Sequence, residues 1–82
     1  MATLTFFGKL ADVMGRERSL ALPQAVSTAG ALKDYLCAQD SVFAEVSAQS
    51  ALRIAVNDVL ADDAVAIRDE DEIAFMPPFS GG

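Results

Sequence analysis

The residues best suited to chemistry stand at the end of the chain, Pro77-Pro78-Phe79-Ser80-Gly81-Gly82. Two prolines keep the backbone extended and lift it away from whatever precedes them. The four residues after them reach about 13–14 Å at ~3.3–3.6 Å each. Gly81 and Gly82 lack Cβ, so their backbone can thread a narrow channel and approach reactive groups closely. The carboxylate on Gly82 is unhindered. These are the properties of a carboxylate that another enzyme activates. A terminal Gly-Gly is a weak signal by itself, since flexible tails often end in glycine. Its weight depends on the domain in front of it.

Elsewhere the sequence excludes more chemistry than it offers. There is no histidine, which rules out Ser/His and Cys/His pairs. Cys37 is the single cysteine. It cannot form an internal disulfide or a cysteine-based metal site, and it reads as a small buried or half-buried hydrophobe. The acidic residues Asp62, Asp63, Asp69, Glu70 and Asp71 fall in turns. They lack the glycine and spacing of a calcium loop and read as solvated turns. The net charge is −6, with six scattered basic residues. That argues against nucleic-acid binding, which needs clustered cations; the charge reads first as a means of solubility and second as a match for a basic protein partner. The longest apolar runs fall far short of the ~20 residues that span a bilayer. No basic n-region precedes a long apolar stretch. No membrane association is expected, and a cytoplasmic location is the default.

The elements that must position the tail follow from periodicity. Residues 3–7 alternate, turning Leu4 and Phe6 inward and Phe7 outward. Lys9 to Met14 predicts a short helical turn ended by Gly15. Residues 18–22 predict a strand with Leu20 and Leu22 inward. Thr28 suits an N-cap, with Ala29, Leu32, Leu36 and Gln39 sharing one face of a helix that ends near Gln39. Gly30 in the first turn is a blemish costing up to ~1 kcal/mol against alanine. Asp40 or Ser41 caps a second short helix carrying Val42, Phe43 and Val46. Residues 52–56 predict a strand, Asn57-Asp58 a turn, and Val59-Leu60 a short return strand. Val65 and Ile67 add core residues. Residues 72–76 form the last strand, with Ile73 and Phe75 inward and Met76 outward. The expected core comprises Phe6, Leu20, Leu22, Leu32, Leu36, Ile54, Val56, Ile67, Ile73 and Phe75.

This order predicts an α+β fold in which one main helix packs across a mixed sheet, with the first and last strands paired in parallel at its centre. That arrangement is the β-grasp, or ubiquitin-like, fold. With 82 residues the chain makes one domain. Residues 1–78 form the β-grasp domain and residues 79–82 a flexible Gly-Gly tail.

The sequence resembles the MoaD/ThiS family of sulfur carriers along nearly its whole length. Leu4-Thr5-Phe6-Phe7-Gly8, followed by Leu10, Val13, Met14 and Gly15, resembles the family's opening strand and short helix. Thr28 to Leu32 resembles its helix start, and Ala55-Val56-Asn57 its central strand and turn. Asp71 to Phe75 leading into Met76-Pro77-Pro78-Phe79-Ser80-Gly81-Gly82 resembles its ending. The double proline and the long helical middle favour the molybdopterin branch over the thiamine branch.

The resemblance implies a mechanism and a set of partners. An adenylyltransferase uses ATP to convert the Gly82 carboxylate into an acyl adenylate, and a sulfur donor protein displaces AMP. The product is a thiocarboxylate on Gly82. The tail, including Phe79, Ser80 and Gly81, then enters the large subunit of a molybdopterin synthase. There it gives sulfur to cyclic pyranopterin monophosphate, building the dithiolene of molybdopterin. The chain itself would bind no cofactor, and most of the active site would belong to the large subunit. Two small subunits would flank a large-subunit dimer as a heterotetramer. Phe7, Leu60 and Met76 match outward positions that the family uses for partner contact. Met76 replaces a frequent aromatic. Ala11 stands where many members carry a basic residue, a role left to Lys9. Three alternatives remain open: a carrier feeding thiamine, cysteine or tRNA thiolation; a ubiquitin-like protein modifier joined through Gly82; and an interaction module with an inert tail.

Overall fold

The computed structural model describes residues 1–49 and 51–76. Its elements, in chain order, are β1 (Ala2–Phe6), α1 (Lys9–Met14), β2 (Glu17–Leu20), α2 (Ala29–Gln39), α3 (Ser41–Gln49), β3 (Arg53–Val56), β4 (Val59–Ala61) and β5 (Glu72–Met76). The five strands form one sheet in the order β2-β1-β5-β3-β4. β1 and β5 are the parallel pair, with Leu4 opposite Ile73 and Phe6 opposite Phe75. The other neighbours are antiparallel.

Period-two alternation sorts the central strands into two faces. Ala2, Leu4 and Phe6 of β1 and Ile73 and Phe75 of β5 are buried against the helices, together with Ile54 of β3. Leu10 and Met14 of α1, Ala29, Leu32 and Leu36 of α2, and Phe43 of α3 complete this core. α2 starts as its sequence requires: Thr28 is extended and its hydroxyl accepts the Ala31 amide at 3.1 Å. Gly15 closes α1 at φ 86°, a conformation that costs glycine no Cβ clash.

The second helix weighs more in the core than its short expected role suggested. Asp40 is its cap, with one carboxylate oxygen accepting the Val42 and Phe43 amides at 2.9 and 3.0 Å. α3 drives Phe43 between the sheet phenylalanines. The Phe43 ring meets Phe75 edge-on at 5.5 Å and Phe6 at 6.3 Å, while Phe6 and Phe75 stack at 5.5 Å. Chain-adjacent Val42 cannot share that face, being about 100° away round the helix, and it is exposed. Gln39, expected on the apolar face of α2, is exposed in its last turn.

Other differences lie at the margins. Leu20, Leu22 and Val56 are half-buried and pack against the core from its edge. β2 ends at Leu20, two residues earlier than expected, because its register runs out opposite Ala2. The Leu22 amide is taken instead by the Asp69 carboxylate at 2.9 Å.

Gly30 has a packing reason. The Gly30 amide donates to the Asp63 carbonyl, and Ala29 to that of Val65, both at 2.9 Å, while Thr28 bridges to Ala66. The 62–67 loop therefore lies directly on the first turn of α2. A Cβ at Gly30 would stand 2.7 Å from Asp63 Cβ.

Candidate functional site

The outward face of the sheet follows from register alone. Thr5, Ala74, Ala55 and Leu60 stand side by side across β1, β5, β3 and β4. One step further along, Phe7 follows the Phe6–Phe75 pair and so falls level with Met76, which pairs with Arg53. The Phe7 amide donates to the Phe75 carbonyl at 3.1 Å, keeping Phe7 beside β5 just past the end of β1.

Phe7 is 49% and Leu60 62% exposed, and Met76 is half-buried. None of the three is covered by the helices, whose buried residues join the core on the opposite face. Phe7 and Met76 are brought together. Leu60 lies two strands away on the β4 edge, beyond the small residues Ala55 and Ala74. The apolar surface is thus a band with a low middle.

Met76 is the last described residue of β5, a strand with partners on both sides. Phe79, Ser80, Gly81 and Gly82 lie outside the described residues, as do Pro77 and Pro78. What the fold supplies is the anchor from which they depart: the Phe7–Met76 end of the outer face.

At the other end, a feature unread in the sequence fixes the turn. Asn57 and Asp58 both have positive φ, 50° and 70°. Two such residues make the tight connection favoured in a two-residue hairpin, and Asn and Asp tolerate it better than other side chains. The Asn57 amide group donates to the Asp71 carboxylate at 3.0 Å, and its side-chain oxygen accepts the Glu72 amide at 3.0 Å. The Asn57 backbone amide donates to the Glu72 carbonyl at 2.7 Å. Asp71 also accepts the Arg68 amide at 2.8 Å. These bonds, led by that from Asn57, hold the Asp71 carboxyl below the usual carboxylate range. Asp69 is lowered chiefly by the Leu22 amide and then by the amino group of Met1, 3.2 Å away. The acidic turn is largely exposed, as read from the sequence, and it also clasps the β3–β4 hairpin to β5. Its one legible signal was an Asn-Asp turn followed by a second Asp-rich turn.

The remaining candidates fall elsewhere. Among the described residues no group of three His, Cys, Asp or Glu side chains is placed to hold a metal, and no helix is long and apolar enough to cross a membrane. Cys37 is half-buried against the core on the helix side of the sheet. Ala11 packs partly on the same core, and Lys9 is exposed at the start of α1.

The ThiS family model matches residues 4–82. The chain belongs to the ThiS family. It is 29% identical to a Haemophilus influenzae protein named molybdopterin synthase sulfur carrier subunit, over 82 residues and the whole of both chains. An Escherichia coli K12 protein of the same name is also 29% identical over 82 residues and the whole of both chains. Among solved structures, a putative molybdopterin converting factor subunit 1 from Pyrococcus furiosus superposes with a TM-score of 0.77 at 19% identity. That match covers 95% of this chain and 97% of the other. SAMP1 from Haloferax volcanii superposes with a TM-score of 0.69 at 24% identity, covering 99% and 98%. The ThiS-family chain has the β-grasp fold that its strand order predicted.

Proposed function

We propose that this chain is the sulfur-carrying small subunit of a molybdopterin synthase, with Gly82 as its reacting group. The observation that carries the reading is the family match through residue 82. It is joined by relatives named as molybdopterin synthase sulfur carrier subunits and matched over their whole length. The chain then works as a tethered reactant whose main contribution is proximity.

The Gly82 carboxylate attacks the α-phosphorus of ATP on an adenylyltransferase, releasing pyrophosphate and leaving an acyl adenylate. The terminal sulfur of a donor persulfide attacks the acyl carbon and AMP departs. A thiol then cleaves the S–S bond of the resulting acyl disulfide. The sulfur stays on Gly82 as a thiocarboxylate, and the donor sulfur and the thiol leave as a disulfide. In the large subunit the thiocarboxylate sulfur bonds to cyclic pyranopterin monophosphate, water then cleaves the acyl–sulfur bond and restores the Gly82 carboxylate, and a second loaded chain brings the dithiolene's other sulfur.

Phe7, Met76 and Leu60 supply the docking surface for the large subunit and the adenylyltransferase. Phe7 and Met76 sit where the tail leaves the domain, so docking there places the tail at the partner's active site. Exposed apolar residues that lie together on one face suit this role.

Intact mass after incubation with ATP, the adenylyltransferase and a sulfur donor tests the reading. Replacement of one oxygen by sulfur at Gly82, lost on deletion of Gly82, is the expected result. Conversion of cyclic pyranopterin monophosphate by the loaded chain plus large subunit separates this role from a carrier for another pathway. An unchanged mass, with the enzymes active on another carrier, would reject the proposal.

A further inference from the structure

The low middle of the outer face holds a depression of about 160 Å³, lined by Thr5, Phe7, Asp58, Glu72, Ile73 and Ala74. Thr5 and Ala74 are opposite one another on the two central strands and keep its floor low. Phe7 lies two residues beyond Thr5, just past the end of β1, and supplies an apolar wall. Glu72 lies two residues back along β5, and Asp58 joins it from the β3–β4 turn. The notch is therefore apolar at one end and doubly acidic at the other. Among the described residues neither Asp58 nor Glu72 forms an ion pair within the chain, and no basic residue lines the notch.

The clasp makes this arrangement preorganised. Asn57 bonds both backbone groups of Glu72, and Asp58 follows it directly, so the backbones that carry the two acids are tied together before any partner arrives. A site that is already shaped loses less freedom on binding.

We propose that this notch receives one lysine or arginine side chain of the large subunit, a placement that rests on the docking reading above. Such a side chain has an apolar stem and a charged tip. The stem lies along Phe7 and Ala74, and the tip reaches Glu72 and Asp58. The pair would be worth little in open water. Docking excludes water from the face, which strengthens the attraction and fixes the partner's register. The charged tip is a second anchor, lying towards the β3–β4 turn and away from the departing tail.

The test is calorimetric titration of the full chain with the large subunit at low and high salt. Asp58→Asn combined with Glu72→Gln removes two charges while keeping shape, and asparagine still tolerates the positive φ of position 58. A control, Asp34→Asn with Glu45→Gln, neutralises two exposed acids of the helix layer and so matches the net charge. The double variant is expected to bind roughly tenfold or more weakly with a flatter salt dependence. The control should stay within about twofold of the parent, with thermal melts showing all variants folded. If the double variant binds as the parent does, the notch proposal is overturned while the carrier reading stands. If the unaltered chain fails to bind a large subunit competent with another carrier, the docking reading fails and the notch proposal with it.

Discussion

On the helix side of the sheet Phe6, Ile73 and Phe75 are buried, whereas on the other side Phe7 is 49% and Leu60 62% exposed. The same strands build both faces, and Phe6 and Phe7 are chain neighbours. Inside, three aromatic rings meet at centroid distances of 5.5 to 6.3 Å, stacked or edge-on. Outside, apolar groups are separated by threonine, alanine and acids, leaving a notch between them. An apolar residue on the inner face contributes by filling space with its neighbours. One on the outer face contributes when something else covers it. Hydrophobicity is common to both faces, and closure is what differs.

That contrast can be broken most severely from the inside. Phe75→Ala should cost about 3–5 kcal/mol of stability, because it removes the ring that both Phe6 and Phe43 touch. Urea denaturation checks this. A loss below about 1 kcal/mol would mean that the aromatic cluster is not the centre of the core.

Next in size is the helix layer's grip on its loop. Alanine is favoured over glycine in helices by about 1 kcal/mol, so propensity predicts that Gly30→Ala stabilises. The added Cβ would meet Asp63 Cβ at 2.7 Å and the Asp63 carbonyl at 3.1 Å. Overpacking of this kind typically costs about 1–3 kcal/mol. Net destabilisation in thermal melts is the expected outcome, and a raised melting temperature would count against the tight approach.

Phe7→Ala sharpens the comparison from the outside. Stability should change by less than about 1 kcal/mol, while affinity for the large subunit should fall by about 1–2 kcal/mol. Parallel denaturation and titration measure the two effects. A stability loss as large as that of Phe75→Ala would erase the distinction between the faces.

The smallest effect concerns acid. Asp71 is lowered first by the Asn57 amide and then by the Arg68 amide. A depressed carboxyl contributes stability that is present above its unfolded pKa and lost as pH falls through its folded pKa. Denaturation midpoints should hold from pH 7 to 5 and fall below about pH 4, where carboxylates begin to protonate. Asp71→Asn should lower stability at pH 7 and flatten that acid slope.

Much of this molecule was legible from residue pattern. The alternation in residues 3–7 and 72–76 gave the central strands, and Thr28 gave the start of α2. Asn57-Asp58 gave the hairpin turn. Phe7, Leu60 and Met76 were placed outward, and they are. Features that depend on distant partners were less visible. Gly30 looked like a flaw because helix propensity is a local quantity, while Asp63 lies 33 residues away in the chain. The bond that ties Asp71 to Asn57 was hidden because nothing near Asp71 in sequence announces it. Phe43 carried too little periodic context to reveal that α3 aims it at the sheet.

Short-range patterning thus determined the strands, the main helix and the outward set, since backbone geometry repeats every 2 or 3.6 residues and leaves its mark locally. The order of residue types also determined the tail, whose properties are covalent. Only the tertiary structure decided which outward residues are neighbours, which acids are tied down, and where the notch opens. Those properties are set by register between strands far apart in the chain, where a shift of one residue would turn every side chain to the other face.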